Sequence, residues 1–251
     1  MDIQSYLRRI NYQGPLRPSI DVLRRLHRQH LLTVPFENLD IHRGRPIVLD
    51  EQAFYDKIIH ARRGGYCYEL NGCFAWLLKS LGFKVSMVSA RVARKSGEFS
   101  PEFDHMTLLV RLRERWLADV GFGDLFSEPL RLSMPDPQQD DGGQYWITKK
   151  KVAWLLSRWD EKTSSWQSQY AFGLRPRKLA NFTARNRYQQ TSPNSHFTQN
   201  RLISKLTPTG RVTLTDTEFV VTDGRKRVEH KITSSREFDK LLVDVFKVKL
   251  E

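Results

Sequence analysis

A change of hydrophobic spacing near residue 82 is the feature that most constrains the fold of this 251-residue chain. Before it, apolar residues recur at helical spacing, as in Val22, Leu23 and Leu26, which form a stripe on a basic helix. After it, segments such as 83–94 and 105–112 alternate apolar and polar residues with a period of two, which is typical of strands. Helices followed by antiparallel strands predict an α+β fold.

These two periods place the predicted elements along the chain. Helices are expected over 21–30, 49–61, 67–80 and 235–246. Strands are expected over 83–94, 105–112, 116–120, 144–154, 166–172, 211–214 and 219–222. Pro35 ends the first helix, and 35–39 is expected to be a turn or short connection. We place domain boundaries near residues 82 and 190, which divides the chain into 1–82, 83–190 and 191–251.

The composition is that of a globular protein with an excess of positive charge. Hydrophobic residues make up 39% of the chain, and it has no signal-peptide pattern and no apolar run long enough for a membrane span. A soluble cytoplasmic protein is therefore expected. The net charge of +13 is spread through the chain without a helix-turn-helix, finger or RNA-binding signature. We expect no specific nucleic-acid partner, although the positive field favours a phosphate-rich cofactor.

The chain has two cysteines, Cys67 and Cys73, which lie six positions apart. On one helix they would be about 240° apart around the axis, so they cannot easily pair. No histidine stands at the spacing of a zinc site, so no metal is expected. At least one of the two is therefore free to act as a reactive thiol.

Residues 62–72, Arg-Arg-Gly-Gly-Tyr-Cys-Tyr-Glu-Leu-Asn-Gly, place Cys67 after a glycine turn and in the first turn of a predicted helix. Unpaired N–H groups and the helix dipole favour a negative charge there, which lowers the pKa of a thiol. Arg62 and Arg63 would add to this effect. The N–H groups could also hold the oxyanion of an acyl-transfer intermediate. The alternative is a small buried hydrophobic residue after a turn, and Cys73 is interpreted as such a core residue.

A nucleophilic thiol needs a base, and the base needs a group that orients it. His105 begins a predicted strand whose even-numbered residues over 106–112 face the core, so that His105 lies on the opposite face. If the hairpin between this strand and 116–120 is centred on Arg113, His105 and Asp119 are diagonal neighbours about 7–8 Å apart. The sequence leaves the register open, because a slip by one residue would place them on opposite faces.

Structural alternatives stay open for the histidines. The alternative for His105 is an exposed residue at a strand start, whereas Asp119 in an apolar strand needs a partner if it is buried. The other histidines are divided between surface positions and positions left unassigned. His27, His30 and His42 are expected at the surface, and His60 and His196 are unassigned.

Five segments, taken together and in this order, resemble the arylamine N-acetyltransferase family. They are Pro-Phe-Glu-Asn-Leu at 35–39, the cysteine segment at 62–72, His-Met-Thr-Leu-Leu-Val at 105–110, Asp-Val-Gly-Phe-Gly at 119–123, and Tyr-Gln-Gln-Thr-Ser-Pro-Asn-Ser-His-Phe at 188–197. The resemblance runs from the first helices to about residue 246. One such motif is weak support, but five in family order are specific.

The resemblance implies a papain- and transglutaminase-like cysteine core with an N-terminal helical bundle, a central antiparallel β-barrel and a C-terminal α/β lid. It implies a triad of Cys67, His105 and Asp119. The implied reaction moves an acetyl group from acetyl-CoA, through an acetyl-Cys67 thioester, to an arylamine, arylhydrazine or arylhydroxylamine. Substrate or CoA contacts are implied for Phe36, Phe122, Gly123, Tyr188, Asn194 and His196, and an ion pair that braces the active-site turn is implied for Glu37 and Arg63.

Other functions stay open beside this one. An amide synthase of the same fold would close a macrolactam from a carrier-bound acyl chain. A cysteine hydrolase or transglutaminase-like enzyme would pass the acyl group to water or to a peptide amine. A nucleic-acid-binding module with a vestigial site would show salt-sensitive binding without acyl transfer. The chain ends at Glu251, where many family members continue into a longer tail, so we expect a more open cleft.

Overall fold

The computed structural model describes residues 1–250 and shows a group of helices followed by two antiparallel sheets. The helical group consists of α1 (Ile3–Arg9), α2 (Ile20–Thr33), α3 (Leu39–His42), α4 (Glu51–Tyr55), a π-helical segment (Asp56–His60) that continues α4, and α5 (Cys67–Ser80). The side chains of Asp2, Ser19 and Asp50 cap α1, α2 and α4 by accepting backbone N–H bonds. Local sequence thus sets where these three helices begin.

The predicted bounds of α5 are correct, but the predicted surface position of two histidines in α2 is wrong. The predicted bounds of 67–80 are those of α5. His27 and His30 are fully buried, not at the surface as expected. His27 follows Leu23 by four residues and His30 follows Leu26 by four, so both extend the buried stripe of α2.

The larger sheet follows the helices and nearly closes into the predicted barrel. Its strands are β2 (Lys84–Val92), β3 (His105–Arg111), β4 (Arg115–Ala118), β5 (Leu130–Arg131), β6 (Gln138–Asp140), β7 (Gly143–Lys150), β8 (Ala153–Asp160) and β9 (Ser165–Phe172), in the order β5-β4-β3-β2-β9-β8-β7-β6. The side chain of Gln138 joins the two end strands, accepting from the Arg131 N–H at 2.7 Å and donating to the Arg131 carbonyl at 3.0 Å. The two end strands of the barrel are therefore joined by a side-chain amide, in place of backbone hydrogen bonds between the strands.

The second sheet contains one strand from the N-terminal part of the chain. A 3-10 segment (Leu179–Phe182), α6 (Thr183–Thr191) and α7 (His196–Gln199) lie between the barrel and the other four strands of this sheet. The strand order is β1-β10-β11-β12-β13. The strands are β1 (Phe36–Glu37), β10 (Leu202–Thr207), β11 (Gly210–Thr215), β12 (Glu218–Asp223) and β13 (Lys226–Lys231), and α8 (Ser235–Asp244) packs on them. The expectation of a turn over 35–39 is wrong in part, because residues 36–37 pair with β10.

Two hydrophobic clusters bury both faces of β3. Met106 and Leu108 pack with Leu70 of α5 in the cluster that joins the helices to the barrel. Leu109 and Leu117 lie in a separate cluster inside the barrel. The expectation that only the even-numbered residues of this strand face a core is therefore wrong, because the sheet curls around a core of its own. The first cluster crosses residue 82, and the division into three domains stays a prediction.

Candidate active site

Cys67 is the first residue of α5 and is almost fully buried. The two glycines before it are required by close packing of the turn. A Cβ atom on Gly64 would lie 2.0 Å from the carbonyl oxygen of Pro35, and one on Gly65 would lie 2.7 Å from the carboxylate of Glu69. Only a residue without a side chain lets the backbone approach this closely. The turn thereby holds the start of α5 against the segment before β1.

The β3–β4 hairpin brings His105 beside Asp119. Leu108 pairs with Ala118, which is the register centred on Arg113. His105 Nε2 lies 2.6 Å from Asp119 Oδ2, and the two side chains are 4% and 0% exposed. The alternative of an exposed histidine at the strand start is therefore wrong. The hairpin creates a buried imidazole–carboxylate pair at its open end.

The Asp119 carboxylate accepts four hydrogen bonds. Oδ2 accepts from His105 and from the Tyr170 hydroxyl at 3.0 Å, and Oδ1 accepts from Asn71 Nδ2 at 2.9 Å and the Gly121 N–H at 3.0 Å. Burial raises the pKa of Asp119, but the charge of His105 and the hydrogen bonds outweigh burial, so that the pKa lies below its ordinary value. The carboxylate is therefore ionised at neutral pH.

Asn71 joins α5 to β3 and to the segment that follows β4. Its Nδ2 also donates to the carbonyl of Met106 at 2.7 Å, and its Oδ1 accepts from the Val120 N–H at 3.0 Å. Asn71 follows Cys67 by four residues and so lies one helical turn along the same face. That spacing was the sequence signal for this residue, to which no role had been assigned. Tyr170, on a strand distant in sequence, had no such signal.

His27 holds the backbone of Asp119. Its Nε2 accepts from the Asp119 N–H at 3.1 Å, and its Nδ1 lies 2.9 Å from the carbonyl oxygen of Ser127. Because a backbone N–H can only donate, the ring proton must be on Nδ1. Burial lowers the pKa of His27 to about 4, so the ring is neutral at physiological pH.

The surroundings of the Cys67 sulfur differ in part from the expectation. Burial raises the pKa of the thiol well above its ordinary value, and hydrogen bonds from the backbone at Met106 and Tyr68 oppose this. Tyr68 lies in the first turn of α5, so the expected contribution of the helix start is present. Met106 is adjacent to His105, the first residue of β3, so the sulfur lies beside the start of that strand. A Cβ on Gly121 would lie 2.8 Å from the Cys67 Cα, so the loop after β4 packs on the same point.

Arg62 and Arg63, which were expected to lower the thiol pKa, are not among the main influences on the pKa of Cys67. Arg62 is exposed, and the guanidinium of Arg63 is bound elsewhere. Arg63 Nη2 lies 2.8 Å from Glu37 Oε1 and 3.0 Å from Asp40 Oδ1. The Glu37–Arg63 pair implied by the resemblance is thus present and buried, and its guanidinium also pairs with Asp40.

Three of the residues implied to contact substrate lie near one another, and one of them, Phe122, also lies beside His105. The ring of Phe122 is 5.2 Å from the His105 ring, and the ring of Phe36 lies 3.5 Å from where a Cβ on Gly123 would be. Gly123 has a φ of 106°, a backbone conformation that favours glycine. The ring of Phe197 is 6.1 Å from that of Phe36 and extends this aromatic group.

The other three implied contacts lie on the segment 188–197. His196 is exposed, and its ring is 4.0 Å from that of Phe197, which joins it to the aromatic group. Tyr188 is half-buried under the guanidinium of Arg185 at 4.0 Å, and Asn194 is exposed. Within residues 1–250, no hydrogen bond or ring contact joins Tyr188 or Asn194 to this group.

Among residues 1–250, no group of three or more His, Cys, Asp or Glu side chains could hold a metal ion. None of the helices in that range is both long and apolar enough to cross a membrane.

Comparison with known proteins gives full-length matches. A family model described as N-acetyltransferase matches residues 19–251. The chain is 37% identical over 232 residues to the arylamine N-acetyltransferase of Escherichia coli, covering 91% of this chain and 82% of that protein. The arylamine N-acetyltransferase structure from Salmonella typhimurium matches with a TM-score of 0.93 at 34% identity, covering 98% of this chain and 90% of that one. A Mycobacterium marinum arylamine N-acetyltransferase in complex with CoA matches at 0.91 and 29%, covering 98% and 93%.

These matches define an acyltransferase enzyme and confirm the α+β fold class predicted from the sequence. The chain belongs to the arylamine N-acetyltransferase family.

Proposed function

We propose that the protein is an acetyl-CoA-dependent arylamine N-acetyltransferase in which Cys67 is the nucleophile, His105 the base and Asp119 the group that orients it. The observation that carries this proposal is the buried 2.6 Å bond between His105 Nε2 and Asp119 Oδ2 beside the start of α5. Because the ionised carboxylate accepts the Nε2 proton, Nδ1 holds the lone pair that can take the proton of the thiol.

The reaction then proceeds in two balanced transfers. His105 Nδ1 takes the Cys67 proton, the sulfur attacks the acetyl carbon, and CoA leaves as its thiol with the proton from the imidazolium. The aromatic amine next attacks the thioester carbon and gives its proton to His105, which returns it to the departing sulfur. Asp119 stabilises the imidazolium in both transfers. Since burial raises the pKa of the free thiol, the thiolate depends on this pairing with His105.

The donor and acceptor are proposed from charge, from the relatives and from the aromatic group. The net charge of +13 suits a phosphate-rich donor, and the Mycobacterium marinum relative was solved with CoA. We assign CoA contacts to Tyr188, Asn194 and His196. We assign acceptor contacts to Phe36, Phe122 and Gly123, because the Phe122 ring beside His105 and the Phe36 ring beside Gly123 suit an aromatic ring of the acceptor. The relatives carry the name of arylamine N-acetyltransferases, so the amide synthase is not favoured.

A cytoplasmic location is part of the proposal. Both cysteines are unpaired in the structure, as is usual for proteins of reducing compartments. Fractionation of the native cells with a cytoplasmic marker enzyme would test this location.

The function is tested by intact mass after incubation with acetyl-CoA alone. We expect a stable adduct of about 42 Da that maps to Cys67, as thioester chemistry requires. Addition of an aromatic amine should remove the adduct and release the N-acetylated amine in equal amount. An adduct on Cys73, or none, would overturn the assignment, and an adduct that only water removes would favour a hydrolase.

A further inference from the structure

A buried group of charged side chains lies behind the turn that precedes Cys67, and the proposed chemistry does not use it. We call it the charged cluster, and its members are Glu37, Asp40, Lys57, Arg63 and Glu69. Lys57 Nζ lies 2.8 Å from both Asp40 Oδ2 and Glu69 Oε1, and Arg63 joins Asp40 to Glu37. The side chains of Lys57 and Glu69 are 13% and 3% exposed, so the pair is shielded from solvent.

One end of the charged cluster is attached to the backbone beside the nucleophile. Glu69 Oε2 accepts from the Tyr66 N–H at 3.0 Å, and Tyr66 is the residue immediately before Cys67. The other end is attached to the facing segment, where Glu37 Oε2 accepts from the Leu39 N–H at 2.8 Å. The cluster therefore spans from the segment that contains β1 to the first turn of α5.

The start of α5 differs from the starts of α1, α2, α4 and α8, whereas α3 and α6 also lack a side-chain cap. In α1, α2, α4 and α8 the residue before the helix is Asp or Ser, and its side chain accepts an N–H of the first turn. In α5 that residue is Tyr66, whose side chain makes no such bond. The carboxylate of Glu69 instead binds backward to the Tyr66 N–H. One N–H of the first turn, that of Tyr68, bonds to the Cys67 thiol.

Glu69 needs a cation because an isolated buried carboxylate is strongly disfavoured. Lys57 supplies it from the π-helical segment, and the carbonyl of Lys57 accepts from the Arg63 N–H at 3.0 Å. The same residue thus contacts both the carboxylate that holds α5 and the backbone that leads into the glycine turn. Single π turns within helices are frequent at functional sites.

We propose that Lys57 and Glu69 are positioning residues for Cys67: Glu69 holds the Tyr66 N–H and so fixes where α5 begins, and Lys57 holds Glu69. The inference rests on the proposed role of Cys67 as nucleophile. It assigns no contact with substrate to either residue. It requires the oxygen acceptor at position 69 for reactivity, whereas the charge of Glu69 is required only to pair with Lys57, which also pairs with Asp40.

Two double variants separate the acceptor from the charges. Lys57→Met with Glu69→Gln removes both charges and keeps an amide oxygen for the Tyr66 N–H. Lys57→Met with Glu69→Leu removes both charges and the acceptor, and neither double variant leaves a buried ion unpaired. The measurements are the rate of acetyl-Cys67 formation by mass, the rate of Cys67 alkylation by iodoacetamide, and the melting temperature.

We call the two double variants Met/Gln (Lys57→Met with Glu69→Gln) and Met/Leu (Lys57→Met with Glu69→Leu). We expect the Met/Gln variant to react at nearly the wild-type rate. The Met/Leu variant should react at least about tenfold more slowly at a similar melting temperature, because a 1 Å misplacement can cost about a hundredfold in rate. Equal rates in the two variants, or a faster Met/Leu variant, would overturn the proposal. A matched control is Arg201→Met with Asp216→Leu, an ion pair of the second sheet in which Asp216 also accepts a backbone N–H. That change should lower the melting temperature without slowing Cys67.

Chemical rescue provides a second test should the Met/Leu variant not fold. A cavity of about 380 Å³ borders Asp40, Lys57, Arg63 and Glu69, so a small cation can reach the place of a truncated lysine. Lys57→Ala should slow Cys67 acetylation, and ethylammonium should restore much of the rate while ethanol does not. No difference between the two additives would overturn the role of Lys57. Alkylation of Cys67 in the wild type does not require acetyl-CoA, so it tests positioning even if the proposed acetyl transfer fails.

Discussion

The two cysteines of α5 have the same burial but different neighbours. Cys67 and Cys73 are both almost fully buried, and burial raises the pKa of both thiols. Cys67 begins the helix, where backbone N–H groups and the start of β3 surround its sulfur. Cys73 lies mid-helix against the Tyr6 hydroxyl in the hydrophobic core. Burial alone therefore does not distinguish the two thiols, which differ in the groups that lie around them.

The largest expected effect separates these two thiols directly. Cys67→Ala should abolish acetyl transfer, because no other thiol lies beside His105, whereas Cys73→Ala should retain it. Cys73→Ala should lower the free energy of unfolding by about 1–2 kcal/mol, since it removes a small buried side chain. The measurements are N-acetylated product from an aromatic amine and urea unfolding. Loss of activity in a stably folded Cys73→Ala protein would contradict the comparison.

The next largest effect is expected on the rate of acetyl transfer when Asp119, the carboxylate that pairs with His105, loses its charge. Asp119→Asn keeps the shape of the side chain but cannot stabilise the imidazolium of His105. We expect acetyl transfer to slow by a factor of about a thousand or more, as for the corresponding change in serine proteases. The control is Asp216→Asn, a carboxylate of the second sheet. If both variants were slowed equally, the His105–Asp119 pair would have no special part in the reaction.

Low pH should destabilise the protein by protonating His27, because the protonated ring can no longer accept the hydrogen bond from the Asp119 N–H. Its pKa is lowered from 6.5 to about 4 in the folded protein, so the unfolded chain binds this proton first as the pH falls. Stability is therefore fully retained above pH 6.5 and lost progressively toward pH 4, by about 3 kcal/mol in total.

The measurement is urea unfolding over this pH range, with His27→Gln for comparison. Glutamine can accept the Asp119 N–H and donate to the Ser127 carbonyl, yet it does not titrate. The variant should lose less stability than the wild type between pH 6.5 and 4. The same loss in both proteins would show that His27 is not the group responsible.

The smallest expected effect comes from one hydrogen bond to the carboxylate. Tyr170→Phe removes the hydroxyl that donates to Asp119 Oδ2 and leaves three donors in place. Since a hydrogen bond to a charged group contributes about 1.5–3 kcal/mol, acetylation of Cys67 should slow by a factor between about 10 and about 150. Tyr145→Phe is the matched control, a buried tyrosine of the same barrel that donates to the Gly142 carbonyl. Equal rates in the two variants would remove Tyr170 from the site.

Predictions from the sequence were best where the contacts are local. The bounds of α5 were correct because helical spacing and the stop at Gly82 are both contained within the segment. The strands over 211–214 and 219–222 were found within one or two residues for the same reason. The segment 144–154 was predicted as one strand but crosses a turn, with Lys151 at a φ of 46°. The alternation of apolar and polar residues in this segment does not show where the turn between β7 and β8 lies.

Predictions failed where a residue's environment depends on distant parts of the chain. His27 and His30 look like surface residues of a basic helix, yet the barrel and α5 cover them. The strand at 36–37 exists only because β10 pairs with it, more than 160 residues later. The closing contact of the barrel is made by the side chain of Gln138, which has no periodic signal.

By itself, the sequence determined the order of helices and strands, the place of Cys67 at a helix start, and the residue types that can form its base and orienting group. Only the tertiary structure decided that His105 and Asp119 meet, by choosing the register centred on Arg113. It also decided which residues complete the site, since Tyr170 lies 51 positions from Asp119 and His27 lies 92 positions from it. The physical reason is that periodicity reports which face of an element is apolar, whereas a buried carboxylate or thiol acquires its pKa and its partners from the elements that pack against it.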